Sequence, residues 1–133
     1  MIKRLAGPVL LLLSVSALAD APADFTARYA AQAGVAASTL SPARGEAFYR
    51  LERAHPAGAK RSCAGCHSVD PRQAGRTRVG KRIEPLAPVV NGARFTDAAK
   101  VEKWFRRNCM DVLQRECSAQ EKGDFVAWLS QLK

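Results

Sequence analysis

The clearest hydrophobic period lies at the C-terminal end of the chain. Phe125, Trp128, Leu129 and Leu132 recur at i, i+3, i+4 and i+7, one stripe of an α-helix. Ser118, with Glu121 three residues on, forms a capping box that opens this helix. A second amphipathic segment carries Val101, Trp104 and Phe105 on one face. Thr96 is placed to cap it, and Asp97 puts a negative charge in its first turn. Ser41-Pro42 opens a third helix, because serine caps and proline suits the first turn. That helix is expected to pass Gly45, Phe48 and Tyr49 and to reach about Ala54, where His55-Pro56 ends it. A weaker helix covers Ala23 to Gln32, with Phe25 and Tyr29 on one side. The segments between read as loops. Gly34 to Leu40 is a linker, Gly58 to Ser62 a short loop, and Asp70 to Arg82 a polar, basic and irregular stretch. Pro85, Pro88 and Gly92 keep Glu84 to Ala93 a loop despite its apolar Leu86, Val89 and Val90. The pattern contains no repeat and no second domain, and it predicts a small all-α fold.

The N-terminus follows a different rule. Lys3 and Arg4 precede a mostly apolar run from Val9 to Val15, and Ala17-Leu18-Ala19 is a small-x-small cleavage site before Asp20. Residues 1–19 read as a signal peptide and residues 20–133 as a single exported domain. The apolar run is too short for a membrane anchor, and no other stretch could span a bilayer. Without Lys3 and Arg4 the chain keeps 19 basic and 12 acidic residues. Export and the lack of a stacking motif among few aromatics argue against nucleic acid. The positive charge then serves either solubility or docking to an acidic redox partner, whose approach it would speed.

The candidate chemistry sits in five residues, Cys63-Ala64-Gly65-Cys66-His67. C-x-x-C-H is the attachment pattern of a c-type haem. Two thiols bond the two vinyl groups of one porphyrin, and the next imidazole binds the iron. A bare C-x-x-C also suits a redox pair or half a zinc site, but the histidine and the lack of a second C-x-x-C weigh against both. Covalent haem c would add apolar surface to a core that is marginal at this length. The order of helix, C-x-x-C-H, long loop, helix and terminal helix resembles the class I cytochrome c architecture, here with an extra N-terminal helix. The stretch from Phe48 to Cys63 is longer than usual for that architecture.

With His67 as the fifth ligand, the sixth decides the function. Candidates are Met110 (the only methionine after the leader), His55, Cys109, Cys117 and amide or amine side chains. If Val101, Trp104 and Phe105 face inward, Asn108, seven residues past Val101, lies within about 20° of that face. Met110, nine residues past Val101, lies roughly opposite if the helix continues. Asn108 could equally end the helix as a left-handed cap, and phase alone favours the cap. His55 leaves a bis-histidine haem open, against the commoner solvated loop histidine. Cys109 and Cys117 are the pair left over in an oxidising compartment. On one unbroken helix they would be about 12 Å apart, beyond the roughly 7 Å a disulfide spans, so pairing requires a turn between them. Free thiols, or a Cys109 thiolate ligand, are the alternatives.

Three further segments carry a resemblance. They are Gly80-Lys81-Arg82-Ile83-Glu84-Pro85-Leu86-Ala87-Pro88, Arg94-Phe95-Thr96-Asp97, and Lys100-Val101-Glu102-Lys103-Trp104-Phe105-Arg106-Arg107-Asn108-Cys109. From about Ala30 to the end, the chain resembles the sphaeroides haem protein (SHP) family, most specifically at Trp-Phe-x-x-Asn-Cys. The resemblance implies that Asn108 is a haem ligand trans to His67, that Cys109 pairs with Cys117, and that Met110 has no ligand role. It also implies binding of oxygen or other small ligands in the reduced state and electron exchange with a dihaem cytochrome c.

The ligand choice divides the functions. An amide oxygen is a hard, weak ligand that suits ferric better than ferrous iron, so it can lapse on reduction and open the site to dioxygen, nitric oxide or carbon monoxide. A thioether holds ferrous iron and closes the site. Asn108 thus points to a redox-gated gas-binding cytochrome in periplasmic electron transfer, and Met110 to an ordinary electron carrier. A haem enzyme, such as a peroxidase or nitric oxide scavenger, would have His55 as its sole histidine candidate for acid–base work, and the expectation is a non-enzyme.

Overall fold

The computed structural model describes residues 21–133. The expected leader, residues 1–19, lies outside the described residues. The elements in order are α1 (Pro22–Ala33), a 3₁₀ turn (Ala37–Thr39), α2 (Pro42–Arg50), α3 (Cys63–His67), β1 (Gly75–Arg76), β2 (Arg82–Ile83), α4 (Ala98–Leu113) and α5 (Ala119–Gln131). The all-α expectation holds. The only strands among the described residues are a two-residue antiparallel pair, with Gly75 opposite Ile83 and Arg76 opposite Arg82.

Helix α5 is the centre of the core. Phe125, Val126, Trp128 and Leu129 are all buried, on a face wide enough to meet both α1 and α2. Helix α1 contributes Phe25, Tyr29 and Ala30, and α2 contributes Tyr49. The Tyr49 ring lies 4.9 Å from Trp128 and 6.1 Å from Phe125. The crossing of α2 and α5 depends on Gly45. A Cβ there would lie 2.1 Å from the Asp124 carbonyl oxygen, so the two backbones approach as only glycine allows.

The buried Asp124 locks the same crossing. Its carboxylate accepts from the Ser41 backbone N–H at 2.6 Å, from Arg44 Nε at 2.7 Å and Nη2 at 2.9 Å, and from Gln120 Nε2 at 3.0 Å. A buried charge supplied with four donors stabilises the contact instead of straining it. A second polar node joins α1, α4 and α5. Tyr29 Oη donates to Glu102 Oε1 at 2.6 Å, and Lys122 Nζ donates to Glu102 Oε2 at 2.8 Å.

Several boundaries depart from expectation. Helix α2 stops at Arg50, not near Ala54. The backbone polar groups of Arg53 pair instead with those of Arg61, at 2.8 Å in each direction, and this bridge folds the intervening residues into a hairpin-like loop. The cap of α4 is Asp97, whose side chain accepts from the Lys100 N–H; Thr96 instead donates its hydroxyl to the Ala93 carbonyl. The stretch from Asp70 to Arg82 is not wholly irregular, because it contains β1 and most of the turn to β2. On α4, Trp104 does not face inward. It is 43% exposed, with the Arg107 guanidinium 5.2 Å from its ring centre. Val101 and Phe105 do pack against the core.

Candidate functional site

The C-x-x-C-H residues form a helix of a single turn. Ser62 caps it, accepting from the Gly65 N–H at 3.1 Å. One turn brings Cys63 and Cys66 to the same side and presents His67 immediately beyond. The turn is held by three contacts, two from α2 and one from β1. Tyr49 of α2 donates its hydroxyl to the Ser68 carbonyl. Arg50 Nη1 donates to the Val69 carbonyl at 3.0 Å. On the far side β1 packs directly on the turn, and a Cβ on Gly75 would fall 1.9 Å from the Cys66 carbonyl oxygen.

The electrostatics of this turn restrict its chemistry. Burial pushes the Cys63 thiol up to about 11. A thiol–disulfide redox pair attacks through a depressed thiol, and Cys63 is shifted in the opposite direction. Among the described residues, no three His, Cys, Asp or Glu side chains gather as a metal set, so nothing completes a zinc site around the C-x-x-C. Burial, and secondarily the Arg94 guanidinium, push the His67 imidazole down to about 4. His67 is therefore neutral at pH 7 and keeps a lone pair for a metal. Its buried Nδ1 has no protein hydrogen-bond partner, the kind of orphaned polar atom that a bound group would explain. Two free thiols and a neutral imidazole on one turn fit covalent haem.

The loop after this turn is built by its own side chains. Arg94 Nε donates to the Pro85 carbonyl at 2.9 Å and Nη2 to the Glu84 carbonyl at 2.7 Å, while Asn91 Nδ2 donates to the Pro85 carbonyl at 3.0 Å. The Pro71 carbonyl accepts from the Leu86 and Ala87 N–H groups at 2.8 and 3.0 Å. The 84–94 loop is thereby pinned next to the C-x-x-C-H turn. Sequence reasoning gave Arg94 no role, because its partners are backbone carbonyls brought near by the loop's own fold.

The candidate sixth ligands separate by position. Helix α4 runs unbroken through Asn108, Cys109 and Met110 and ends with Gln114 in the left-handed conformation, φ 58°. Gln114, and not Asn108, is the left-handed cap. Asn108 lies in the last turns of α4, half-buried, and Cys109 beside it is buried. Met110 is 49% exposed. His55 sits in the loop before α3, where its Nδ1 accepts from the Ala57 N–H at 3.1 Å. Cys109 and Cys117 form a disulfide with a Cα–Cα distance of 5.6 Å, reached by the turn at Gln114, so neither is a free thiol.

The basic residues after His67 are largely paired. Arg72 meets Asp70 at 2.9 Å, Arg82 meets Glu84 at 2.8 Å and Arg78 meets Asp111 at 2.9 Å. Lys81 on the hairpin and Lys100, Lys103 and Arg107 on α4 make no ion pair among the described residues. No helix among the described residues is long and apolar enough to cross a membrane.

Comparison with known proteins agrees with this geometry. A family model described as a domain of unknown function (DUF1924) matches residues 35–129. The cytochrome c-type protein SHP of Cereibacter sphaeroides is 43% identical over 126 residues, covering 95% of this chain and 91% of that protein. Cytochrome c'' of Methylophilus methylotrophus is 44% identical over 86 residues, covering 64% of this chain and 60% of that protein. The solved structure of oxidised SHP, described as an oxygen-binding cytochrome c, superposes with a TM-score of 0.75 at 40% identity, covering 86% of this chain and 99% of its own. The crystal structure of oxidised cytochrome c'' gives a TM-score of 0.75 at 35% identity, covering 84% of this chain and 94% of its own. The chain therefore belongs to the SHP family of c-type cytochromes, and its cofactor is one covalently bound haem c.

Proposed function

We propose that this protein is a periplasmic, redox-gated cytochrome: Cys63 and Cys66 carry the haem, and His67 and Asn108 are its axial ligands. Asn108 leaves on reduction to admit a small diatomic molecule. When bound, the haem supplies one-electron chemistry and a metal that takes such ligands. The single observation that carries this reading is the split on α4. Asn108 lies half-buried beside the buried Cys109, whereas Met110 is exposed. An exposed thioether is poorly placed to be a ligand, which weakens the ordinary His/Met carrier.

The chain's own residues would do the gating. His67, neutral through burial, offers a permanent nitrogen ligand. Asn108 offers a neutral amide oxygen, which binds the harder oxidised metal better than the softer reduced one. The relatives support release: SHP is described as oxygen-binding, and the solution structure of cytochrome c'' is described in terms of haem-ligand detachment. The Cys109–Cys117 disulfide and the signal-like N-terminus support export to an oxidising compartment. An acidic redox partner, a dihaem cytochrome c by family resemblance, would meet the unpaired cations of the hairpin and α4.

The test is a set of absorption spectra of the purified holoprotein, oxidised, reduced, and reduced under carbon monoxide. The reading predicts a six-coordinate oxidised form, a high-spin reduced form and a large spectral change with carbon monoxide. A reduced form that stays low-spin and ignores carbon monoxide would sink it.

A further inference from the structure

Helix α4 is fixed near Asn108 at two points, and only one of them is the disulfide. Cys109 ties the helix to Cys117, at the entrance to α5. The second tie is Asp111, about one turn beyond Asn108. Its carboxylate accepts from Arg61 Nη1 at 2.5 Å and from Arg78 Nη1 and Nη2 at 2.9 and 3.2 Å. Arg61 Nη1 also reaches the Asp111 carbonyl at 3.4 Å. The two arginines come from opposite flanks of the C-x-x-C-H turn. Arg61 lies just before Cys63, with its backbone fixed by the bridge to Arg53. Arg78 lies in the turn between β1 and β2, and β1 packs on Cys66 through Gly75.

We propose that Asp111 is a positioning residue for Asn108: gripped by Arg61 and Arg78, it ties the end of α4 to both sides of the haem-binding turn and restrains the release of Asn108. This rests on Asn108 being the sixth ligand. The disulfide reaches the haem-binding turn only indirectly, through α5 and then α2, because Cys117 lies at the entrance to α5. The Asp111 bridge reaches it directly. It is also stronger than an ordinary surface pair. The Arg61 side chain is 16% exposed and that of Asp111 38%, and one carboxylate meets two guanidinium groups in charge-assisted hydrogen bonds. A turn held this way favours the ligated arrangement; a loosened turn shifts the population towards the detached one.

Azide titration of the oxidised holoprotein, with the spin state read from the same spectra, tests the proposal. Azide must displace the protein ligand, so its apparent affinity reports the detached fraction. Asp111→Asn should raise the high-spin fraction and tighten azide binding by about fivefold or more, a coupling of ordinary size for linked sites. Arg78→Gln, which removes one exposed arm, should give a smaller change in the same direction. Arg61→Gln with Arg78→Gln should match Asp111→Asn, and the triple variant should go no further. A triple variant with additive effects would show that the bridge is not the route. If Asp111→Asn lowers only the melting temperature while spin state and azide affinity stay at wild type, the bridge is structural and the proposal fails. Asn108→Ala is measured alongside: were its spectrum identical to wild type, the ligand reading itself would be at fault, a different outcome from a silent Asp111→Asn.

Discussion

At the scale of single residues, the C-x-x-C-H turn and the buried Asp124 depend on different kinds of neighbour. Cys63, Cys66 and His67 stand out in the sequence because a C-x-x-C-H motif is defined by spacing along the chain. Asp124 reads in the sequence as one more polar residue within a helix, yet it is only 3% exposed and anchors the α2–α5 crossing. Its partners Ser41 and Arg44 are more than seventy positions away, so no local signal could have singled it out. Asp111 escaped notice in the same way. Burial works against the Asp124 charge, but the bonds from Arg44, the Ser41 N–H and Gln120 outweigh it and hold its carboxyl below the usual carboxylate range. A group with a depressed folded-state value contributes stability above its unfolded value and loses it as pH falls through the folded one. Asp124→Asn should therefore lower stability at pH 7 by about 2–3 kcal/mol, the cost of weakening charge-assisted bonds at a buried site. The variant should lose less on acidification than wild type does. Thermal melts of both proteins at pH 7 and pH 3 check this, and parallel losses in the two proteins would contradict it.

At the scale of elements, helices with complete local signals form where the sequence predicts them, whereas helices ended by distant contacts do not. The capping box of α5 forms as its spacing predicts, with Ser118 accepting from the Glu121 N–H at 3.1 Å. Helix α2 stops early because Arg61, eight positions beyond Arg53, competes for its backbone groups, and no property of residues 50–54 signals that. Helix α4 was uncertain at its end because asparagine is a frequent left-handed cap, while the cap that forms is Gln114. The disulfide fixes this end. Closing so short a loop should add about 2–3 kcal/mol. Cys109→Ser combined with Cys117→Ser should still fold around its covalent haem, and carbon monoxide or nitric oxide should bind with altered rates because the turn carrying Asn108 is freer. Flash photolysis of the reduced protein measures those rates. Unchanged rates in a folded double variant would reduce the bridge to a staple.

At the scale of the whole molecule, charge and gating are the properties that matter. The chain carries a formal +9. Asp70, Glu84 and Asp111 pair with three arginines of the basic loop after His67, and the cations without an ion pair among the described residues include Arg53, Arg76, Lys81, Lys100, Lys103 and Arg107. Composition could reveal the excess but not which cations were paired. If these groups steer an acidic partner, the second-order electron-transfer rate should fall as ionic strength rises and the screening length shrinks below about 10 Å. A flat dependence would leave the charge as an aid to solubility. The central claim, that Asn108 holds the iron and lets go, is tested most directly by the near-infrared and visible spectra of the oxidised wild type beside those of Asn108→Ala and Met110→Leu. The expected result is no thioether charge-transfer band in wild type, a shift to high spin in Asn108→Ala, and a Met110→Leu spectrum close to wild type. A thioether band present in wild type and lost in Met110→Leu would contradict it, and would make the protein an ordinary electron carrier.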